Sequence, residues 1–306
     1  MPDWAWYLML IPAGFIAGVV NTIAGGGSFL TLPALMFLCG MDPKIANGTN
    51  RVAILFSTVS ASATFHRHGH IDAKLAMRLC LPTLFGVPVG ALLAIYLPAH
   101  AFRPVFGGIF LAMAILLAFK PKLLVDTNRN PPNALLAELI LFFGIGVYVG
   151  FVQAGMGILL LLGISLFHPR ELVSANGVKN VIGFVLTLVA LGVFIYHQQV
   201  LWTPGLIMAV GNVLGGYVGA KLAIKKGSQL IFAFLIVVMI ATGVKLLWPN
   251  SSAPAANSAS SSAESSLVTE ELPDTSKWKN SERLLLLDRS DPDILRATQR
   301  MSPSSQ

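Results

Sequence analysis

Residues 21–33 read NTIAGGGSFLTLP, and the three consecutive glycines stand inside an almost continuously apolar stretch. Glycine weakens a helix by about 1 kcal/mol relative to alanine, so three in a row predict an interruption of the helix. The apolar stretch at 5–40 is also longer than the about 20 residues that cross a membrane once. A second long apolar stretch with internal glycines occupies 135–167. The sequence therefore predicts two broken helices.

The composition of the 306-residue chain is typical of a membrane protein. Hydrophobic residues make up 55% and charged residues 11%, against about 25% charged in an ordinary soluble domain. The N-terminal segment lacks the basic region and small-residue cleavage site of a signal peptide, so we interpret it as mature structure. We predict an all-α polytopic membrane protein.

The charges are divided unevenly along the chain. Of the 21 basic and 14 acidic residues, 6 and 8 lie from Ser251 onward, which leaves 15 basic and 6 acidic residues before it. None of those six acids falls in the middle of an apolar run. A membrane domain short of carboxylates favours an anion over a cation as its ligand, although part of the excess is the positive charge expected in cytoplasmic loops.

An internal repeat divides the membrane part into two halves. Ala46-Asn47-Gly48 recurs as Ala175-Asn176-Gly177, an offset of 129 residues. The same offset pairs 86–91 with 215–220, and a shift of one residue pairs 24–27 with 154–157. Each half is predicted to contain three full spans, near 46–66, 74–97 and 102–120 and near 175–196, 202–223 and 228–248.

With the glycine-broken helical pair that precedes each set of spans, the prediction is 8–10 membrane segments. The predicted boundaries are 1–122 for the first transmembrane repeat, 123–134 for the connecting loop, 135–249 for the second repeat and 250–306 for a polar tail. The tail is expected to be disordered, because it has too little apolar surface to form a core.

The basic residues predict that the two halves are inverted. The loop at 66–78 carries three Lys or Arg residues, whereas the equivalent loop at 197–203 carries none. The loop at 97–103 has a single Arg, whereas its partner region has Lys221, Lys225 and Lys226. Equivalent loops therefore belong on opposite sides of the membrane. Each broken stretch must then enter and leave on one side, as a re-entrant hairpin or as two short spans.

Inverted repeats with paired broken helices are a known arrangement of secondary transporters. A break frees backbone N–H groups that can bind an anion, and non-helical backbone within a membrane lines a cavity or packs in protein. The predicted site therefore includes the glycines of both breaks. They are Gly25, Gly26, Gly27, Gly155 and Gly157. The alternative is that these glycines only permit close helix packing.

A polar cluster opens the first full span of each half, and each cluster contains one cation. Buried cations in a membrane bundle are costly and usually functional. We predict that Arg51 and Lys179 face the breaks and form a cradle for an oxyanion. Four amides would orient it: Asn47, Asn50, Asn176 and Asn180. The alternative is that both cations extend to the membrane interface.

Other polar groups give weaker signals. The histidines at 66–70 are interpreted as part of a solvated basic loop, and the hydroxyl-rich segment 57–64 either lines the path or bonds to its own helix. The chain has no P-loop, nucleophile elbow, metal-binding spacing or paired carboxylates. We expect no cofactor, no bound metal and no nucleic-acid partner.

The sequence resembles the sulfite exporter TauE/SafE family over roughly 8–248. The resemblance rests on GFIAGVVNTIAGGGSFLTLPALMFLCGMDPKIANGTNR at 14–51, FGVPVGALLA at 85–94 and GGYVGAKLA at 215–223. It implies a plasma-membrane permease, in several members one that exports sulfite or other small sulfur-containing anions. Related sequences often have an acid before the first glycine cluster, where this chain has Asn21, and Gln153 stands where a second acid would be sought. We include both residues, Asn21 and Gln153, in the predicted substrate-binding site. Without the two acids, the chain would couple transport differently or act as a uniporter.

We predict a permease that exports a small anion by alternating access, in the plasma membrane or, in a Gram-negative cell, the inner membrane. Its expected partners are the anionic substrate and the lipid bilayer, with homo-oligomers possible. Three alternatives stay open. They are a metal or cation transporter, an intramembrane enzyme acting on a lipid phosphate, and a membrane scaffold without transport.

Overall fold

The computed structural model describes residues 3–119, 134–225 and 229–247, and this part of the chain contains ten α-helices and no strand. The first half contains α1 (Asp3–Ala24), α2 (Ser28–Phe37), α3 (Pro43–Arg67), α4 (Ala73–Tyr96) and α5 (Ala99–Phe119). The second half contains α6 (Leu135–Phe151), α7 (Met156–Phe167), α8 (Leu172–Tyr196), α9 (Trp202–Lys225) and α10 (Gln229–Leu247). The predicted all-helical fold is confirmed.

The helices follow the predicted order in both halves. Each apolar stretch with internal glycines is divided into two helices, α1 and α2 or α6 and α7, and three longer helices follow. By length and composition, four segments of the described part of the chain can cross a membrane. They are Ala73–Tyr96, Ala101–Ala118, Leu172–Tyr196 and Trp202–Lys225. The 25-residue helix α3 is equally long, but its first turns carry Asn, Thr and Arg side chains.

Aspartate side chains begin two of the helices. Asp42 accepts a hydrogen bond of 2.9 Å from the N–H of Lys44, and Pro43 occupies the first position of α3, where its missing N–H has no cost. Asp72 accepts a bond of 3.0 Å from the N–H of Leu75 at the start of α4. These caps fix the residues at which α3 and α4 start. The start of α3 in turn fixes the position of its polar side chains along the bundle.

Glycine contacts show that two pairs of helices run parallel in close contact. In the first pair, Gly14 of α1 faces Met208 of α9, and Val19 faces Gly219 further along. Close approach of this kind is possible because glycine has no side chain. The pair formed by α4 and α6 has the same geometry, since the glycines at 86 and 90 face α6 while those at 146 and 150 face α4.

The remaining contacts give the directions of the other long helices. Thr49 and Ser57 of α3 face Gly205 and Gly216 of α9, so these helices are parallel. The contacts of α3 with α8 run in opposite order, because residue 48 faces residue 194 and residue 58 faces residue 183. Helices α5 and α10 are also antiparallel.

Corresponding helices of the two halves therefore run in opposite directions along the bundle. Helices α1, α3, α5 and α9 share one direction, and α4, α6, α8 and α10 share the other, because short loops reverse the chain between α3 and α4, α4 and α5, and α8 and α9. An inverted repeat requires such opposition. The inversion across a membrane and the boundaries between the repeats stay predictions, and most of 123–134 and all of 250–306 lie outside the described residues.

The helices associate in two groups that differ from the two halves of the sequence. Helices α1, α2, α3 and α9 pack together as the first bundle, and α4, α6, α7 and α8 pack together as the second bundle. The bundles meet where α8 packs on α3, a contact as extensive as that of α8 with α4. Helices α5 and α10 pack on each other beside α2 and α3. The fourth helix of each half is thus exchanged into the bundle formed by the other half.

Candidate functional site

The two helix breaks meet each other inside the protein. The N–H of Gly157 donates a hydrogen bond of 3.1 Å to the carbonyl oxygen of Gly25. Gly25 has φ 80° and Gly155 has φ 78°, in the left-handed region that favours glycine. A side chain on Gly25 or Gly157 would also collide with the backbone of the other break. Glycine is therefore required here both by backbone conformation and by close approach.

The start of α2 leaves backbone donors unused. Gly27 is the N-cap of α2, and the first hydrogen bond of the helix runs from the N–H of Phe29 to the carbonyl of Gly26, at 3.0 Å. Within the described residues, the N–H groups of Gly26 and Gly27 donate to no protein acceptor. They lie at the positive end of a ten-residue helix, which favours negative charge.

Arg51 is fully buried and lies against the end of α6. Its NH1 and NH2 groups each donate to the carbonyl of Val149, at 3.2 Å, and NH2 also donates to that of Gly150, at 2.6 Å. The guanidinium lies 4.5 Å from the ring centroid of Phe194, and its Nε has no acceptor. Among the described residues, no carboxylate lies within 4.0 Å of this guanidinium.

Lys179 occupies the matching place at the end of α1. Its ammonium donates to the carbonyls of Asn21, at 3.0 Å, and Thr22, at 2.7 Å, while its aliphatic chain packs on Gly157. The side chain is buried, and no described carboxylate forms an ion pair with it. Each cation therefore caps the carbonyl end of the broken helix in the other half, where positive charge is favourable.

Neither cation reaches the surface, as the alternative of interfacial cations would require. They also occupy different positions of the repeat, since the offset of 129 residues pairs Arg51 with Asn180 and Lys179 with Asn50. The two cations share no hydrogen-bond partner. The structure thus places them at two separate helix ends.

The predicted amides form several short links. Asn47 donates 2.9 Å to the carbonyl of Phe151, beside the carbonyls that Arg51 binds. Asn50 donates 3.0 Å to the hydroxyl of Ser28 and accepts from Thr31, so it holds α2 against α3. In the second half, the side-chain amide of Asn180 donates a hydrogen bond of 2.8 Å to the backbone carbonyl of Asn176 in the same helix. The side-chain amide of Gln153 donates to the hydroxyl of Thr187.

Several buried oxygens in these side chains have no partner. They belong to Asn47, Gln153, Asn176 and Asn180. Buried polar atoms are nearly always satisfied, so a ligand or ordered water is expected at such positions. Asn21 contributes through its backbone carbonyl, as described above.

Sequence reasoning missed the residues that complete these clusters. Ser28 and Thr31 bind Asn50, and Phe194 stacks on Arg51. Ser28 directly follows the three glycines, which was the available signal, but nothing in the sequence marks Phe194. In the hydroxyl-rich segment, Thr58 and Thr64 bond to carbonyls of their own helix.

Charged side chains collect at the end of the bundle where α4 and α6 begin. The buried carboxylate of Glu138 accepts from Arg78 at 3.0 Å and lies 3.4 Å from His168. Arg170 lies 3.3 Å from Asp72 in the loop before α4. The hydrogen bond from the N–H of Leu75 and the adjacent Arg170 lower the pKa of the Asp72 carboxyl. The described residues contain no group of three His, Cys, Asp or Glu side chains suited to a metal ion.

Comparison with known proteins identifies the family. The sequence profile described as sulfite exporter TauE/SafE matches residues 10–246. The chain is 32% identical over 249 residues to the probable membrane transporter protein ORF9 of a Sinorhizobium species, a match that covers 81% of this chain and 95% of the relative. It is 29% identical over 243 residues to the probable membrane transporter protein YfcA of Escherichia coli, covering 78% and 89%.

A probable membrane transporter protein of Haemophilus influenzae is 28% identical over 240 residues, covering 78% of this chain and 94% of that protein. No solved structure matches the chain. The chain belongs to the sulfite exporter TauE/SafE family and is a multi-pass membrane transporter, not an enzyme.

Proposed function

We propose that this transporter moves a small anion, with sulfite or an organosulfur anion favoured, out of the cell by alternating access. The observation that carries the proposal is the pair of buried cations Arg51 and Lys179, neither of which has a carboxylate partner among the described residues. Carbonyl dipoles offset part of the cost of burying each charge, but they supply no net negative charge. An anion that enters between the helix ends would supply it.

The backbone around the breaks supports the same ligand. The free N–H groups of Gly26 and Gly27 stand at the start of α2, and Ser28 and Asn50 add polar groups beside them. Helix N-termini with free N–H groups are suited to oxyanions. In inverted-repeat transporters, half-helix N-termini point at the anionic groups of the substrate.

The choice of sulfite rests on the family description, and the outward direction rests on the word exporter in it. Under this proposal the protein works in the plasma membrane, in contact with lipid, and the anion is its main partner. A homo-oligomer is compatible with it. A metal or cation as cargo is less favoured, because no carboxylate faces either break within the described residues.

The test is efflux of labelled sulfite from proteoliposomes, with unlabelled sulfate, thiosulfate, sulfoacetate or chloride as competitors. We expect sulfite efflux in the native protein, and a fall to the background of empty liposomes in Arg51→Ala. Arg67→Ala is the matched control, because Arg67 lies at the exposed end of the same helix. Native flux in the folded Arg51→Ala variant would refute the proposed site, and absence of flux for every anion would refute the proposed function.

A further inference from the structure

We propose that the bodies that move during transport are the first and second bundles rather than the two sequence halves, and that Arg51 and Lys179 are positioning residues that hold the bundles together. The proposal rests on the proposed function, because it assigns a part of the transport cycle to the same two cations.

The first observation is that each bundle contains one pair of helices in close contact along its length. Helices α1 and α9 approach through glycines along their length, as do α4 and α6. In both pairs, a Cβ added at these glycines would collide with a backbone atom of the neighbour. Backbones in such contact cannot slide past each other without losing their packing. Each parallel pair contains one helix from each half, so the sequence halves cannot separate as units.

The second observation is that the interface between the bundles is formed by different contacts. Helix α3 packs on α8 there, and the hydrogen bond between Gly157 and Gly25 joins the breaks. Close backbone contact is confined to a few points of this interface: the breaks, where Gly25 meets Gly157, and the loops at 70 and 199, which meet glycines of α8 and α3. In the middle of the α3–α8 contact, Thr58 and Gly183 face each other without a backbone collision. Two short chain segments, 68–72 and 197–201, also connect the bundles.

The third observation is that both cations cross this interface, in opposite directions. Arg51 starts on α3 of the first bundle and binds carbonyls of α6 in the second. Lys179 starts on α8 of the second bundle and binds carbonyls of α1 in the first. Asn47 makes a neutral contact of the same kind as Arg51. A third cation, Lys44 at the start of α3, donates 2.9 Å to the carbonyl of Ile95 in α4 and links the bundles away from the breaks. At the breaks, the charged links between the bundles therefore depend on Arg51 and Lys179.

An anion would compete directly for these links. A cation is attracted to the full charge of an anionic oxygen, whereas a carbonyl acceptor offers it only a partial charge. When a bound oxyanion takes donors from the helix-end carbonyls, the bundles lose the contacts that hold them in register. Anion binding and relative movement of the bundles are then one coupled event.

The test joins helices covalently in a background in which both native cysteines, Cys39 and Cys80, are replaced by alanine. The first cysteine pair, Thr58→Cys with Gly183→Cys, spans the bundle interface, and the second, Val52→Cys with Gly205→Cys, lies within the first bundle. Dibromobimane joins neighbouring thiols by thioether bonds, which sulfite does not cleave. Joining the interface pair should reduce sulfite efflux at least tenfold, and joining the control pair should leave it within twofold of the unjoined protein.

Native efflux with the interface pair joined, or lost efflux with the control pair joined, would overturn the proposal. If the protein without cysteine substitutions moves no anion, the proposed function fails instead, and the two failures are thereby distinguished.

A second arm tests the cations without a transport assay. In Arg51→Met and in Lys179→Met, dibromobimane should join the interface pair at least threefold more slowly relative to the control pair, because the bundles separate more often. Arg51→Lys keeps the charge, so its interface pair should be joined at nearly the native rate relative to the control pair. This variant also replaces Arg51→Met in the comparison with Lys179→Met if Arg51→Met folds poorly. An unchanged ratio in both methionine variants would show that the cations do not hold the bundles together.

Discussion

Gly25 and Gly157, one from each break, are joined backbone to backbone by a hydrogen bond of 3.1 Å. This bond places the ends of α1 and α6 and the starts of α2 and α7 around one point. The buried cations, the free N–H groups of α2 and the unpartnered amide oxygens are arranged around these helix ends.

The contact predicts a strong effect of a single methyl group. In Gly157→Ala the new Cβ would collide with the backbone of Gly25, which no side-chain rotation can relieve. Overpacking of this kind costs about 1–3 kcal/mol, so the detergent-solubilised protein should melt several degrees lower.

Gly144→Ala is the matched control, since Gly144 lies in helix α6 with no heavy atom near its added Cβ. That variant should be neutral or more stable by up to about 1 kcal/mol, because alanine favours a helix. Equal melting temperatures for the two variants would contradict the close approach.

A carboxylate at position 50 should exclude an anion. Asn50→Asp keeps the size of the side chain, and the hydroxyls of Ser28 and Thr31 can both donate to it. The substitution places a negative charge beside the start of α2. Sulfite efflux should fall at least tenfold, which corresponds to about 1.4 kcal/mol.

Asn50→Ala separates charge from lost hydrogen bonds, and it should reduce efflux less than Asn50→Asp does. If the aspartate variant transports as well as the native protein, the anion does not pass near Asn50.

The loop before α4 should show a pH-dependent contribution to stability. The pKa of Asp72 is lowered in the folded protein by the N–H of Leu75 and by Arg170. The ionised carboxylate therefore stabilises the fold above the unfolded pKa of about 3.9, and this contribution is lost as pH falls through the lower folded value.

Asp72→Asn isolates this effect, because asparagine can still cap α4. Its melting temperature should lie slightly below that of the native protein at pH 7, and the difference should shrink from pH 4 downward. A difference independent of pH between 7 and 3 would assign the effect to something other than the charge.

The loop between α3 and α4 depends on a left-handed glycine. Gly69 has φ 72°, and an added Cβ there would meet no atom within 4 Å. Gly69→Ala therefore introduces backbone strain alone, about 1–2 kcal/mol, and should lower the melting temperature. Gly192→Ala, equally open but inside helix α8, serves as the control and should not do so. No loss of stability in Gly69→Ala would indicate that this loop adjusts freely.

Much of the fold could be predicted because hydropathy and glycine placement act locally. The lengths of the apolar segments predicted six full helices, and GGG at 25–27 predicted the first break. The exchange of α4 and α9 between the halves could not be predicted. Short loops join each of these helices to its neighbours in the sequence. The length of those loops does not determine which distant helix packs against the glycines of α4 or α9.

The burial of the two cations could be predicted from the sequence, but their contacts could not. Burial of Arg51 and Lys179 follows from their position in apolar spans with asparagine neighbours. Their acceptors are the backbone carbonyls of Val149, Gly150, Asn21 and Thr22. Every residue has a backbone carbonyl, so the sequence does not indicate which of them accepts a hydrogen bond. Only the packing of the opposite half brings those helix ends to the cations.

The exchanged helices also constrain how the protein can be made. Gly14 and Gly18 lie on the face of α1 that contacts α9, the ninth of the ten described helices. As the chain leaves the ribosome, α1 enters the bilayer long before that partner has been synthesised, and contacts of such large sequence separation form late. During synthesis of the first half, Gly14 and Gly18 of α1 therefore face lipid instead of α9. The contact between α1 and α9 can form only after α9 has been synthesised, near the end of translation.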